Sequence, residues 1–140
     1  MFKVKLFVIN KTKEEWLKAG ILEYEKRLTG QVEINWNIFK NELELKKSLD
    51  KEKFFILLDE KGKGFNSHQF KNFLFTSFQN HNPLCFVIGA DEGLSDEIKS
   101  KADILLSLSN LTFTHQMIRL FFLEQLYRSF QIEKNSGYHK

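Results

Sequence analysis

The side chains best equipped for chemistry gather near the C-terminal end of the chain. In SLSNLTFTHQMIRLFFLEQLYR (107–128), His115, Arg119, Glu124 and Arg128 interrupt a stretch that is otherwise largely apolar, and Tyr138 and His139 follow in the tail. An imidazole can exchange a proton near neutral pH. A guanidinium can grip a phosphate or a carbonyl with its rigid fork of donors. A phenol or a carboxylate can orient either of them. By themselves these groups single out no reaction: the polar residues of the helix could be local pairs at its rim, and Tyr138 and His139 an ordinary frayed tail. His68 and His81 stand alone, and no spacing among histidines, Cys85 and acidic residues matches a ligand set, so no metal is expected.

Two short segments carry binding rather than proton chemistry. GADEG (89–93) follows the apolar run LCFVI, where glycine permits either positive φ or close approach of a ligand to the backbone. Asp91 and Glu92 would repel a phosphate, which argues against a phosphate-binding loop. The dinucleotide fingerprint is missing as well, because the first apolar run ends VINKTKE without a glycine. An ordinary turn explains GADEG equally well. NLTFT (110–114) sets Leu111 and Phe113 among the hydroxyls of Thr112 and Thr114. It could wall a flat heterocycle, or be a turn capped by Thr114 whose Leu and Phe fill the core.

These residues need a scaffold, and the hydrophobic pattern supplies one. KVKLFVI (3–9), VEINWNIF (32–39), KFFILLD (53–59), LCFVI (84–88) and DILLSLS (103–109) read as strands. Helical patterns separate them. In the first helix, Trp16, Leu17, Ile21, Tyr24 and Leu28 recur at helical spacing; in the third, Phe70, Phe73, Leu74 and Phe78 face inward. SDEIKSKA is a short helix capped by Ser95, and the last helix runs from about His115 to Glu133. The lysine-rich KNELELKKSLDKEK reads as a solvated face with i,i+4 pairing. Alternating strands and helices predict an α/β sandwich with a mostly parallel sheet, whose ligands bind at the carboxyl ends of the strands. That points to DEKGKGF, GADEGLS and NLTFT.

On a helical wheel His115, Arg119, Phe122, Leu126 and Phe130 share one face, with Glu124 and Arg128 roughly opposite beside Met117, Leu120, Phe121 and Ile132. A helix apolar around most of its circumference should be covered on both sides. One cover is its own sheet, and in so short a chain the other is expected to be a second subunit. At 140 residues a single domain (1–140) is expected. Lone Cys85 rules out a disulfide framework, and no apolar run approaches the ~20 residues of a membrane helix. Early lysines break any signal-peptide core. A cytoplasmic location is expected. A net charge of +3 permits contact with nucleic acid without arguing for it.

FVIGADEGLS, LSLSNLTFTHQMIRLFFLEQLYRSFQI and the terminal YHK together resemble the RlmH (YbeA-like) family of SPOUT-class ribosomal RNA methyltransferases. The resemblance extends over the whole chain and is most specific at 105–139. It implies a C-terminal trefoil knot, a homodimer formed through the knotted region, and S-adenosylmethionine (SAM) held by three loops. The family's cofactor positions fall on Leu58, on Gly89 and Ala90, and on Ser109, Asn110, Leu111, Thr112, Phe113 and Thr114. The implied reaction is methylation of N3 of a pseudouridine in large-subunit (23S) ribosomal RNA, with the assembled ribosome as the attractive substrate.

The nitrogen must lose a proton, so a positioned base should help. The substrate-side candidates are His115, Arg119, Tyr138 and His139, with His139 favoured as the base or orienting group and the tail closing over the partner's cofactor. Glu124 and Arg128 read as a structural pair. Three positions depart from the family pattern: Ala90 replaces a second glycine, Thr114 a proline before the histidine, and Gly137 a proline in the tail. If position 90 needed positive φ, its alanine would cost about 1 kcal/mol. That makes a ribosome-binding or RNA-binding protein without transferase activity the principal alternative, ahead of a generic nucleotide-binding α/β domain.

Overall fold

A computed structural model describes residues 1–140. The chain alternates strand and helix throughout: β1 (Phe2–Ile9), α1 (Glu15–Leu28), β2 (Val32–Phe39), α2 (Glu42–Leu49), β3 (Phe55–Gly64), α3 (Ser67–Asn80), β4 (Leu84–Ile88), α4 (Asp96–Lys101), β5 (Ile104–Ser107) and α5 (His115–Lys134). The strands form one sheet in the order β2-β1-β4-β3-β5, and every neighbouring pair is parallel. The expected mostly parallel sheet is therefore wholly parallel.

Alternation along the strands sorts the core into two layers. Val4, Leu6 and Val8 of β1 and Leu84, Phe86 and Ile88 of β4 face α1, α3 and α5. Phe7, Ile9, Cys85 and Val87 face α2 and α4. All five residues of β4 are buried, as a central strand covered on both faces requires. Edge strand β2 keeps its half-exposed alternation.

Three local readings need correction. Trp16 does not join Leu17, Ile21 and Leu28 in the core; it is 60% exposed. The lysines of α2 do not pair along their own helix. Lys46 reaches Glu97 of α4 at 2.5 Å, and Lys101 of α4 reaches Asp50 at the end of α2 at 3.3 Å. Finally, DEKGKG is not a loop after β3 but its continuation. Leu58 pairs with Leu106, the register then slips, and Lys63 pairs with Leu106 again. Residues 59–62 thus form a bulge, and the strand bends where pairing lapses.

Candidate active site

The carboxyl ends of β3, β4 and β5 enclose a cavity of about 310 Å³, a volume typical of small-molecule sites. Its first wall is the turn after β4. A Cβ on Gly89 would approach Leu94 Cγ to 3.0 Å, so glycine lets Leu94 fold back against the strand end. The Gly93 N–H donates to the Ala90 carbonyl at 2.8 Å, with Gly93 at φ +80. Ala90 is not in the left-handed region, so the anticipated strain is absent; it falls on Gly93, where glycine tolerates it.

The second wall is Leu58 of β3 with Asp59, Glu60 and Lys61 of the bulge that follows it. The third is the segment between β5 and α5. Ser107 Oγ donates to the Ser109 carbonyl at 2.7 Å, and the Leu111 N–H donates to Ser109 Oγ at 3.0 Å. Two side-chain bonds tie the walls together. Thr112 Oγ1 donates to Glu60 Oε2 at 2.5 Å. Asp91 Oδ1 accepts from the His115 backbone N–H at 3.2 Å and contacts its Nδ1 at 2.7 Å. The His115 side chain, and then its backbone N–H, hold the Asp91 carboxyl below the usual range.

Seven of the nine expected cofactor positions line this cavity: Leu58, Gly89, Ala90, Ser109, Leu111, Thr112 and Phe113. Asn110 and Thr114 are not among its lining residues. Thr114 Oγ1 accepts from the Met117 N–H at 3.3 Å and caps α5 instead. Leu111 is 70% exposed at the mouth, and Phe113 leans edge-on against Phe121 at 4.8 Å. Asp59, Glu60 and Lys61 lie in DEKGKGF, one of the three loops the sequence pointed to, without having been singled out, and Lys99 was missed. The acids directly after an apolar strand were the signal for the first three, but the bulge that aims them is not a sequence pattern, and Lys99 comes from α4.

The rim chemistry tests what fits. Four carboxylates, Asp59, Glu60, Asp91 and Glu92, line the cavity against two lysines, Lys61 and Lys99. Lys99 already sits 3.3 Å from Asp59. Such a rim attracts a cation and repels a phosphate chain, while Leu58, Ala90, Leu111 and Phe113 offer apolar surface to a ring. A sulfonium nucleoside such as SAM fits this donor set, and a nucleoside triphosphate does not.

Of the four substrate-side candidates, only His115 lines the cavity. Arg119 requires correction, because it is 1% exposed and turned toward β1. It donates to the carbonyls of Ile9 at 2.9 Å and Asn10 at 2.8 Å and to Thr12 Oγ1 at 3.1 Å. Burial pulls its guanidinium down to about 10, so it stays charged at neutral pH. It fastens the β1–α1 loop and does not meet solvent.

Tyr138 and His139 also lie away from this cavity. Gly137, at φ +84, turns the tail back onto α5; proline, confined to negative φ, could not take that conformation. Tyr138 Oη donates to Glu124 Oε2 at 2.8 Å, and Arg128 Nη1 donates to His139 Nδ1 at 3.0 Å. Glu124 and Arg128 are joined at 2.7 Å, as their spacing implied. Burial, reinforced by hydrogen bonds with Tyr24 and Glu124, pushes the Tyr138 phenol above its ordinary range. Glu124 stands nine residues beyond His115, about 13 Å along the helix axis at 1.5 Å per residue.

Known proteins place the chain. The family model described as predicted SPOUT methyltransferase matches residues 2–139. A protein of Protochlamydia amoebophila named ribosomal RNA large subunit methyltransferase H is 42% identical, covering all of both chains. Its namesake in Streptococcus mutans is 37% identical over 99% of each. Among solved structures, a probable methylase family protein from Haemophilus influenzae superposes with a TM-score of 0.63 at 11% identity, covering 98% of this chain and 70% of its own. The TrmH/SpoU tRNA modifying enzyme of A. aeolicus gives 0.51 at 16% identity, covering 94% and 77%. At these identities the structures speak for the fold alone.

Proposed function

The chain belongs to the SPOUT methyltransferase family, and on that premise we propose that it uses SAM to methylate large-subunit ribosomal RNA, with N3 of a pseudouridine as the target atom. The observation that carries this is a carboxylate-rimmed, apolar-walled cavity at the three loops where a full-length resemblance puts the cofactor. When bound, SAM supplies an electrophilic methyl on a sulfonium centre. The protein's part is to hold, orient and deprotonate.

Leu58, Ala90, Leu111 and Phe113 take the adenine ring, Ser109 and Thr112 offer hydroxyls, and the carboxylate rim faces the cationic end. His115 Nε2, the one substrate-side candidate that lines the cavity, receives the proton lost by the target nitrogen, in place of the His139 favoured from the sequence. Tyr138 and His139 contribute from a second subunit, since each lies away from the cavity of its own protomer. The half-buried apolar residues Met117, Leu120 and Phe121 of α5, with exposed Trp16 on neighbouring α1, favour a homodimer seam. Segment 108–134 is then the threaded part of the trefoil, supported by β5 lying at the far edge of the sheet while α5 returns to pack on α1 and α3. One domain acting in the cytoplasm completes the reading; no helix is long and apolar enough to cross a membrane.

Transfer of tritiated methyl from SAM to intact ribosomes, separated subunits and free RNA tests it. Label in 23S RNA, greatest with assembled particles, is the expected result. Absence of label in every substrate, together with absence of SAM binding by calorimetric titration, would favour the non-catalytic alternative.

A further inference from the structure

The geometry around His115 assigns its tautomer through a chain of hydrogen bonds that begins on the other side of the helix terminus. The Lys13 backbone N–H donates to Gln116 Oε1 at 3.1 Å, which identifies the oxygen of that amide. Gln116 Nε2 is therefore the amine end. It donates to the Lys11 carbonyl at 3.3 Å and lies 3.2 Å from His115 Nε2. An amide NH2 only donates, so His115 Nε2 must accept. At the opposite ring nitrogen, Asp91 Oδ1 stands 2.7 Å from Nδ1. An ionised carboxylate only accepts, so Nδ1 must carry the hydrogen. The two constraints agree on one neutral imidazole, with Nδ1–H bound and a lone pair on Nε2.

We infer that Asp91 and Gln116 are positioning residues that preset His115 as a proton acceptor at Nε2. Asp91 orients the ring from the glycine loop with two contacts on the same residue, one to the backbone and one to the side chain. Gln116 occupies the lone pair until a substrate N–H takes its place. This rests on the methyl-transfer reading. In that reaction the N–H bond of the target nitrogen breaks and its proton passes to His115 Nε2. The nitrogen's electron pair forms the new N–CH3 bond, and the electrons of the broken S–CH3 bond remain on sulfur. The resulting imidazolium keeps its Nδ1–H on the Asp91 carboxylate. Its new Nε2–H confronts the Gln116 amine as donor to donor, so the proton must leave to solvent before the network can re-form. Nothing in the spacing of His115 and Asp91, 24 residues apart, revealed this pair.

The chain has four histidines, few enough for long-range 1H–15N correlation to read each tautomer. The wild-type protein is expected to show His115 as the Nδ1–H form. Asp91→Ala should move it toward the Nε2–H form and lower kcat with ribosomes, measured at saturating SAM, about 10- to 100-fold, the range known for carboxylates that orient metal-bound histidines. Asp91→Asn keeps an acceptor oxygen and should restore much of both. Retention of the Nδ1–H form in Asp91→Ala, or full kcat once it is lost, would overturn the inference. A wild-type protein with the Nδ1–H tautomer but no transferase activity would support the network and sink the methyl-transfer reading. The tautomer signal decides the matter even for a variant that cannot turn over.

Discussion

Gly62 lies so close to the backbone of Leu105 that a Cβ at residue 62 would stand 2.5 Å from the Leu105 carbonyl carbon and 2.6 Å from its oxygen. The contact pins the return of the β3 bulge against the short strand β5, so the cavity rim depends on a missing methyl. A backbone atom cannot step aside as a flexible side chain could. Gly62→Ala is expected to cost at least the 1–3 kcal/mol of an overpacked core. Gly64→Ala, where a Cβ meets nothing within 4 Å, serves as the control. Urea unfolding of both variants checks this, and equal midpoints would refute it.

Arg119 serves two carbonyls and a hydroxyl from a buried position. Arg119→Met keeps the bulk and leaves the Ile9 carbonyl without that partner, at about 1–3 kcal/mol. Chemical denaturation should show the loss. Stability equal to wild type would mean that water replaces the guanidinium at no cost.

Leu111 makes little use of its side chain in the protein, being 70% exposed at the cavity mouth. Leu111→Ala should leave the unfolding midpoint unchanged, within the roughly 0.5 kcal/mol typical of surface substitutions. SAM affinity, by contrast, should fall about tenfold, the equivalent of part of a buried leucine side chain. Calorimetric titration measures the second effect, and undiminished affinity would remove Leu111 from the adenine wall.

Burial pushes the Cys85 thiol up to about 12, from an ordinary value of 9.0. Between those values the unfolded chain ionises at Cys85 while the folded chain does not. Stability from this residue is therefore full below pH 9 and declines as pH rises toward 12, at up to about 1.4 kcal/mol per pH unit. The stability difference between wild type and Cys85→Ala should shrink over that window. A difference independent of pH would show that the thiol titrates normally in the folded protein.

Removal of Tyr138, His139 and Lys140 strips Glu124 and Arg128 of their tail partners without touching the cavity. The truncated chain should bind SAM as the full chain does and lose methyl transfer. Full transfer would exclude the tail from the reaction.

The strand order of the scaffold came from pairing, but its elements were legible because their signals are local. Ser95 and Thr114 cap helices as their types suggest, and the continuous apolar run 84–88 is a strand buried on both faces. Arg119, Phe122, Leu126 and Phe130 share a buried face as the wheel implied. What could not be read was the identity of the neighbour. Arg119 looked like a functional guanidinium because a sequence shows its charge but not the β1 carbonyls above it. Asp91 looked like one half of an awkward carboxylate pair because its partner is His115, brought in by tertiary folding. The β3 bulge escaped because DEKGKG has turn composition, yet β5 completes its pairing.

The attachments of the β1–α1 loop join opposite ends of the chain. Arg119 and Gln116 grasp residues 9–13 across sequence separations of 103 to 110. Closing so long a span costs chain entropy before any of those bonds can form. Assembly of this corner is therefore expected late in folding, once α5 has followed the strands into place. Until α5 docks, His115 has neither its Asp91 contact nor its Gln116 neighbour anchored to the first loop. Completion of the site should then follow the docking of α5, and a refolding chain should regain its sheet, read by far-ultraviolet circular dichroism, before it regains SAM binding.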